Sequence, residues 1–350
     1  MAGPRTIIDW ALAERVANGV AGRGAHAVPA PVTDLSEVIP EIEQRIEDTT
    51  GLRSAHGSAS FDVVDRRAWI AANIGSFQHL LAPLATRAES MRRAPGLGVA
   101  RRITGTEVGL LLGWMSRRVL GQYDLLVGQD PDGGPGAGAV YLVGENIAAV
   151  EQRFGFDPAQ FRTWVLIHEL THRAQFTGVP WMRDYFAGLV GQTLALANPD
   201  PQILAKTIGA ALRDREQTRQ QLRDHGLAGV LATPEQRAVI DRISGLMSLL
   251  EGHGDVVMTR AAGPLVADAA RFERILQARR KQGSAVNRVV QQLLGIEAKL
   301  NQYAAGARFI AAVEESGGPR LIDRCWRSAE DLPSMDEIRT PQRWLDRVLA

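Results

Sequence analysis

Along most of the chain, apolar residues recur at three- and four-residue steps between charged ones, the period of amphipathic helices rather than of strands. The pattern predicts helices over residues 7–23, 38–49, 61–92, 100–120, 145–154, 158–177, 181–197, 201–224, 234–260, 266–282, 284–316 with a break, 319–329 and 341–349. Two of these starts carry their own signal. Asp157-Pro158 sets an N-cap before a first-turn proline, and Thr233-Pro234-Glu235-Gln236 does the same with a glutamine at the capping-box position. The helical pattern breaks between Gln122 and Gly144, where Tyr123 to Val127 and Ala139 to Val143 flank a glycine-rich stretch from Gly128 to Gly138. That arrangement predicts a hairpin with a long loop. The glycines are followed by a strand, and no Gly-Lys-Ser/Thr accompanies them, so they do not read as a phosphate cradle. The fold class expected is mainly α with one small β hairpin or sheet, α+β.

Composition narrows the function. The chain has 350 residues, 45% hydrophobic and 23% charged, which excludes disorder and a coiled-coil rod and leaves room for a large core. Forty Lys+Arg against 39 Asp+Glu give a net charge of +1. No surplus field is left for nucleic acid or an anionic membrane, so partners must be recognised locally. The paired arginines at 92–93, 101–102 and 117–118, and the run 279–281, have acids interspersed nearby and read as solvated helix faces. A single cysteine, Cys325, excludes an intramolecular disulfide and any multi-cysteine metal site. Acids interrupt the first apolar stretch, Thr6 to Glu14, where a secretory signal needs an unbroken one, and a cytoplasmic protein is expected. The longest run without an ionised side chain, Ala68 to Thr86, holds Asn73, Gln78, His79 and Pro83, and reads as a buried helix rather than a membrane span. Oligomeric state is not readable from the sequence.

Candidate chemistry concentrates in Phe161 to Phe176, which contains His168-Glu169-Leu170-Thr171-His172. With 7 His and 19 Glu in the chain, a His-Glu-x-x-His pattern is expected by chance only about 0.008 times. Residues four apart on a helix lie one above the other, so the imidazoles of His168 and His172 converge on a point that zinc can occupy. Glu169 is turned about a quarter of the way round the helix, beside the metal rather than on it. Zinc lowers the pKa of bound water toward about 7, Glu169 takes the proton as general base, and a carbonyl polarised by the same ion is attacked. The competing reading pairs Glu169 with Arg173 and leaves both histidines in the core, which buries three titratable groups in one turn without an ion.

A catalytic zinc needs a third ligand. A metzincin pattern would require Gly at 175 and His at 178, where Gln175 and Gly178 stand. Downstream, Leu249-Leu250-Glu251-Gly252-His253-Gly254-Asp255 ends an apolar helical run. Two carboxylates four apart repel on a bare helix. They make sense if Glu251 binds zinc and Asp255 accepts from the free ring nitrogen of a zinc-bound histidine. Gly252 and Gly254 each cost about 1 kcal/mol inside a helix. The expected compensation is close approach to the His168 helix. His253 points about 200° from Glu251, so it serves as ligand or oxyanion donor only if the helix breaks, and otherwise packs. Tyr185 and Arg183 follow the active helix and are candidate oxyanion donors.

The pair His168-Glu169-x-x-His172 with Glu251-x-x-x-Asp255 resembles the gluzincin arrangement. The wording His-Glu-Leu-Thr-His-Arg-Ala-Gln-Phe, with Leu-Leu-Glu-Gly-His-Gly-Asp, resembles the zincin-like metallopeptidase type 2 family over most of the chain. That family is bacterial, largely uncharacterised and sometimes associated with biosynthesis of a deazaflavin coenzyme. The resemblance implies a zinc (Zn2+) metallopeptidase with a peptide or protein substrate. The organisation expected is an N-terminal helical region, 1–121, and a zincin-like catalytic region, 122–350, within one compact unit. Arg173 departs from the family's usual uncharged residue. The hairpin is expected to offer the substrate its strand edge, with Val140 to Val143 and Tyr141 lining the cleft and the loop 130–138 covering it. The alternative from another class is a helical binding or scaffolding protein that keeps a zinc site without turnover; intact Glu169 favours the enzyme.

Overall fold

The computed structural model describes residues 8–22, 35–90, 97–126, 138–196, 234–281 and 296–350. The architecture is mainly α-helical with one small three-stranded sheet. The chain divides into two units: Met1–Asp48, Arg53–Gly178 and Ala261–Ala269 form the first, and Thr49–Leu52, Val179–Arg260 and Ala270–Ala350 the second.

The first unit begins with α1, Trp10–Ala21, capped by Asp9, whose carboxylate accepts from the Leu12 amide at 3.0 Å. Its buried face is Ala13, Ala17 and Ala21, and it lies on α4, Leu97–Ser116. On α4, Gly105, Gly109 and Gly113 repeat every fourth residue; a Cβ on Gly109 would sit 2.5 Å from the Ala13 carbonyl oxygen. Small residues on both helices therefore bring the two backbones together. After α2, Ile39–Thr50, come β1, Phe61–Val64, and α3, Arg66–Ser90. The sheet is completed by β2, Gly121–Asp124, and β3, Ala139–Val143, in the order β1-β3-β2. β1 runs parallel to β3 with Phe61 opposite Val140, and β2 antiparallel with Gly121 opposite Leu142. α5, Gly144–Phe154, and α6, Pro158–Gly178, follow directly.

Two expectations are corrected here. Residues 61–64 are a strand and not the start of a helix. The helix starts after them, where the Asp65 carboxylate accepts from the Ala68 amide at 2.7 Å. A four-residue strand containing Asp62 carries too little alternation to register, and its partner lies far away in sequence. In consequence β3 is the central strand with both edges paired, so Val140 to Val143 offers no free ladder; among the described residues the edges belong to β1 and β2. The hairpin itself is present, although its first strand begins at Gly121. Most of the glycine-rich loop, residues 127–137, lies outside the described residues, as does the helix expected over 201–224.

The pleat divides the sheet into two faces. Val143 joins Trp69, Ile70, Ile74 and Leu112 in a core under α1, α3 and α4. The other face meets α6, where Tyr123 stacks on Phe176 with ring centroids 6.1 Å apart.

The second unit contains α7, Met182–Leu196, most of α8, Pro234–Ala262, then α9, Ala269–Lys281, and α10, Ile296–Gly317. A 3-10 turn, Pro319–Trp326, and two short helices, α11, Met335–Arg339, and α12, Pro341–Leu349, close it. Its interior includes Leu249, Phe309, Val313 and Trp344, with Trp344 set edge-on to Phe309 at 5.4 Å. A Cβ on Gly252 would lie 2.6 Å from the Ala307 amide nitrogen and 2.7 Å from Gly306 Cα. At this glycine a close approach is present, and the helix it meets there is α10. Two glycines facing each other explain it: Gly306 is equally unable to carry a side chain, because it faces the Ser248 carbonyl.

Candidate metal centre

The helix that carries the motif is fixed at its start and along its sides. Asp157 caps it, accepting from the Gln160 amide at 2.9 Å, ahead of Pro158. Phe161 packs between Phe156 and Trp164, at 5.0 and 6.1 Å. Arg162 makes a two-pronged pair with Glu151 of α5, at 2.8 and 3.0 Å. From Phe161 to Thr177 every residue is buried except Arg162, His168 and His172. An interior helix thus opens on one stripe, and the two histidines occupy it.

The histidine rings stand edge-to-face at 82°, and their Nε2 atoms are 3.1 Å apart. Two nitrogens bound to one tetrahedral zinc at about 2.0–2.1 Å would be separated by about 3.3 Å, so the spacing fits a shared ion. The Nδ1 atom of His172 lies 2.9 Å from Gln175 Oε1. An amide oxygen can only accept, so this contact calls for a proton on Nδ1. His168, His172 and Glu251, each half-buried, offer ligand atoms that all lie within 4.8 Å of one another, a group able to hold a metal ion. The donor chemistry, two imidazoles and a carboxylate, is that of a catalytic rather than a structural zinc.

Glu169, 5% exposed, lies against β2: a Cβ built on Gly121 would come within 2.6 Å of its Oε1. Arg173 turns to the N-terminal region instead. Its guanidinium donates to Glu43 at 2.8 Å and to the Gly57 carbonyl at 2.9 Å. The family departure at this position is thus absorbed by an ion pair with α2.

The remaining candidates lie on several elements. Asp255 is half-buried on α8, and its carbonyl accepts from Thr259. His253 is buried and packs edge-on against Trp326 at 5.0 Å. Tyr185 is half-buried beside Trp181; burial raises its phenol above the usual value, with Arg242 opposing and Glu330 adding. Tyr141 pairs across the sheet with Asp62 and Gln122, and the Gln122 side chain meets Asn73 of α3. Burial, then Asp124 and Asp62, raise the Tyr141 phenol. The pleat puts it on the α3 face, opposite the one that meets α6. Gln175 is the residue the sequence reading passed over: it served only to exclude a metzincin, and its i+3 spacing to His172 was the available signal.

No curated protein matches the chain. Among solved structures, a candidate hydrolase with a novel fold from Chloroflexus aurantiacus is 33% identical; the match covers 97% of this chain and 98% of that one, with a TM-score of 0.68. Residues 8–345 match the family described as zincin-like metallopeptidase, and the chain belongs to that family.

Proposed function

We propose that the protein is a zinc-dependent hydrolase of peptidase type, with the ion held by His168, His172 and Glu251 and with Glu169 as general base. The reading rests on one observation above all: two imidazole nitrogens 3.1 Å apart, with the carboxylate of Glu251 in the same 4.8 Å cluster. When bound, zinc supplies Lewis acidity that brings the pKa of water near 7 and polarises a carbonyl. Glu169 accepts the proton of the attacking water and returns it to the leaving amine. Gln175 holds the His172 ring in the tautomer that leaves Nε2 unprotonated, and Asp255 is proposed to do the same for His168. The strand that Glu169 lies against is β2, an edge of the sheet among the described residues, and it is a more suitable ladder for an extended peptide than the central β3. A substrate of narrow range is expected, and nucleic acid is not.

The test is zinc analysis together with cleavage of a peptide library by wild type and Glu169→Gln. Zinc near one per chain with cleavage by wild type alone supports the reading. Cleavage of nothing by the zinc-loaded wild type would leave the chain a metal-binding scaffold.

A further inference from the structure

Gly121 opens β2, and its backbone does not demand glycine: it is absent from the positions of positive φ. What it lacks is room. A Cβ there would lie 2.6 Å from Glu169 Oε1, 2.7 Å from Cγ and 2.9 Å from Cδ, so the obstruction runs along the side chain and is not confined to its tip. Glu169 is itself buried, 5% exposed. Gly121 is also held in place, because the neighbouring Leu120 carbonyl accepts from the Val143 amide at 2.8 Å and Gly121 itself pairs with Leu142. Movement of the strand away from Glu169 would act against these pairings.

We propose that Gly121 is a positioning residue: its missing side chain is the seat of the Glu169 carboxylate, and the sheet edge fixes where that carboxylate stands. The kinetic consequence rests on the reading of Glu169 as base given above, but the seat itself does not. A proton acceptor displaced by a fraction of an ångström to one ångström loses much of its effect, because general-base catalysis depends on hydrogen-bond reach.

The experiment is a cycle of four proteins: wild type, Gly121→Ala, Glu169→Ala and the double variant, each followed by thermal unfolding. Gly121→Ala should lower the Tm of the wild type and leave that of Glu169→Ala unchanged, because the obstructing atoms are gone. An equal loss in both backgrounds would overturn the proposal, since a general effect of alanine in the strand cannot distinguish Glu169 from its absence. On any peptide the wild type cleaves, Gly121→Ala should keep its zinc and its KM while kcat falls at least about tenfold. Unchanged kcat in Gly121→Ala, where Glu169→Gln has lost its activity, would also overturn it. If the wild type cleaves nothing, the hydrolase reading fails and the thermal cycle still decides whether Gly121 seats Glu169.

Discussion

Gln175 Oε1 accepts from His172 Nδ1 across 2.9 Å, one turn further along the same buried helix. On the proposed reading the bond links the core to the metal-facing nitrogen, holding both the tautomer and the orientation of the ring. Partners of this kind typically contribute 10–100-fold to metal affinity. Gln175→Leu should therefore weaken zinc binding by about 10–100-fold in competition with a chelator. Gln175→Glu keeps an acceptor and should retain most of the affinity. Equal affinity in all three proteins would show that the ring is held by its packing alone.

Arg173 is buried, and its partners are Glu43 of α2 and the carbonyls of His56 and Gly57 in the segment between α2 and β1. Removing the guanidinium leaves a partly buried carboxylate and two carbonyls to find other donors. Arg173→Met should cost about 3 kcal/mol in denaturant unfolding, and Arg173→Lys less, because the ammonium keeps the charge but loses the fork. A loss below about 0.5 kcal/mol would mean that water replaces the guanidinium without penalty.

The motif was legible because its chemistry is local: one turn of helix brings His168 and His172 together whatever surrounds them, and the run on either side of them is apolar enough to form that helix. The helices bounded by cap and proline signals, such as Asp157-Pro158, were placed within a residue or so. Gly121 against Glu169 could not be read, since the two are 48 positions apart and nothing in either segment encodes their meeting. β1 failed for the same reason: Phe61 to Val64 becomes a strand by pairing with β3 across the whole of α3 and α4. Gly252 shows an intermediate case. A helical glycine announces a close approach but not the neighbour, and here the neighbour is another glycine, Gly306.

The proposed set of three ligands makes a specific stoichiometric prediction. Alanine in place of His168, His172 or Glu251 should each bring zinc well below one per chain by elemental analysis, with a lower Tm wherever metal binding stabilises the fold. Adding a strong chelator to wild type should produce the same shift in Tm, and zinc should restore it. Full retention of zinc in Glu251→Ala would move the third ligand to Asp255 or His253. The first of these is the better substitute, because His253 is packed on Trp326.

Glu169→Gln separates the metal from the chemistry. The amide is nearly isosteric with the carboxylate, so it still fits the space beside Gly121, and the contact between His172 and Gln175 is untouched. Zinc content and Tm should stay close to wild type. What the amide cannot do is take up a proton from water, and the proton transfer it would have carried contributes about 10²–10⁴-fold to the rate of such reactions. Hydrolysis of any peptide cleaved by wild type should fall by about that factor, in kcat rather than KM, because the lost interaction belongs to the transition state. A variant that binds zinc fully and turns over at the wild-type rate would remove Glu169 from the role of base and shift attention to another acceptor near the ion.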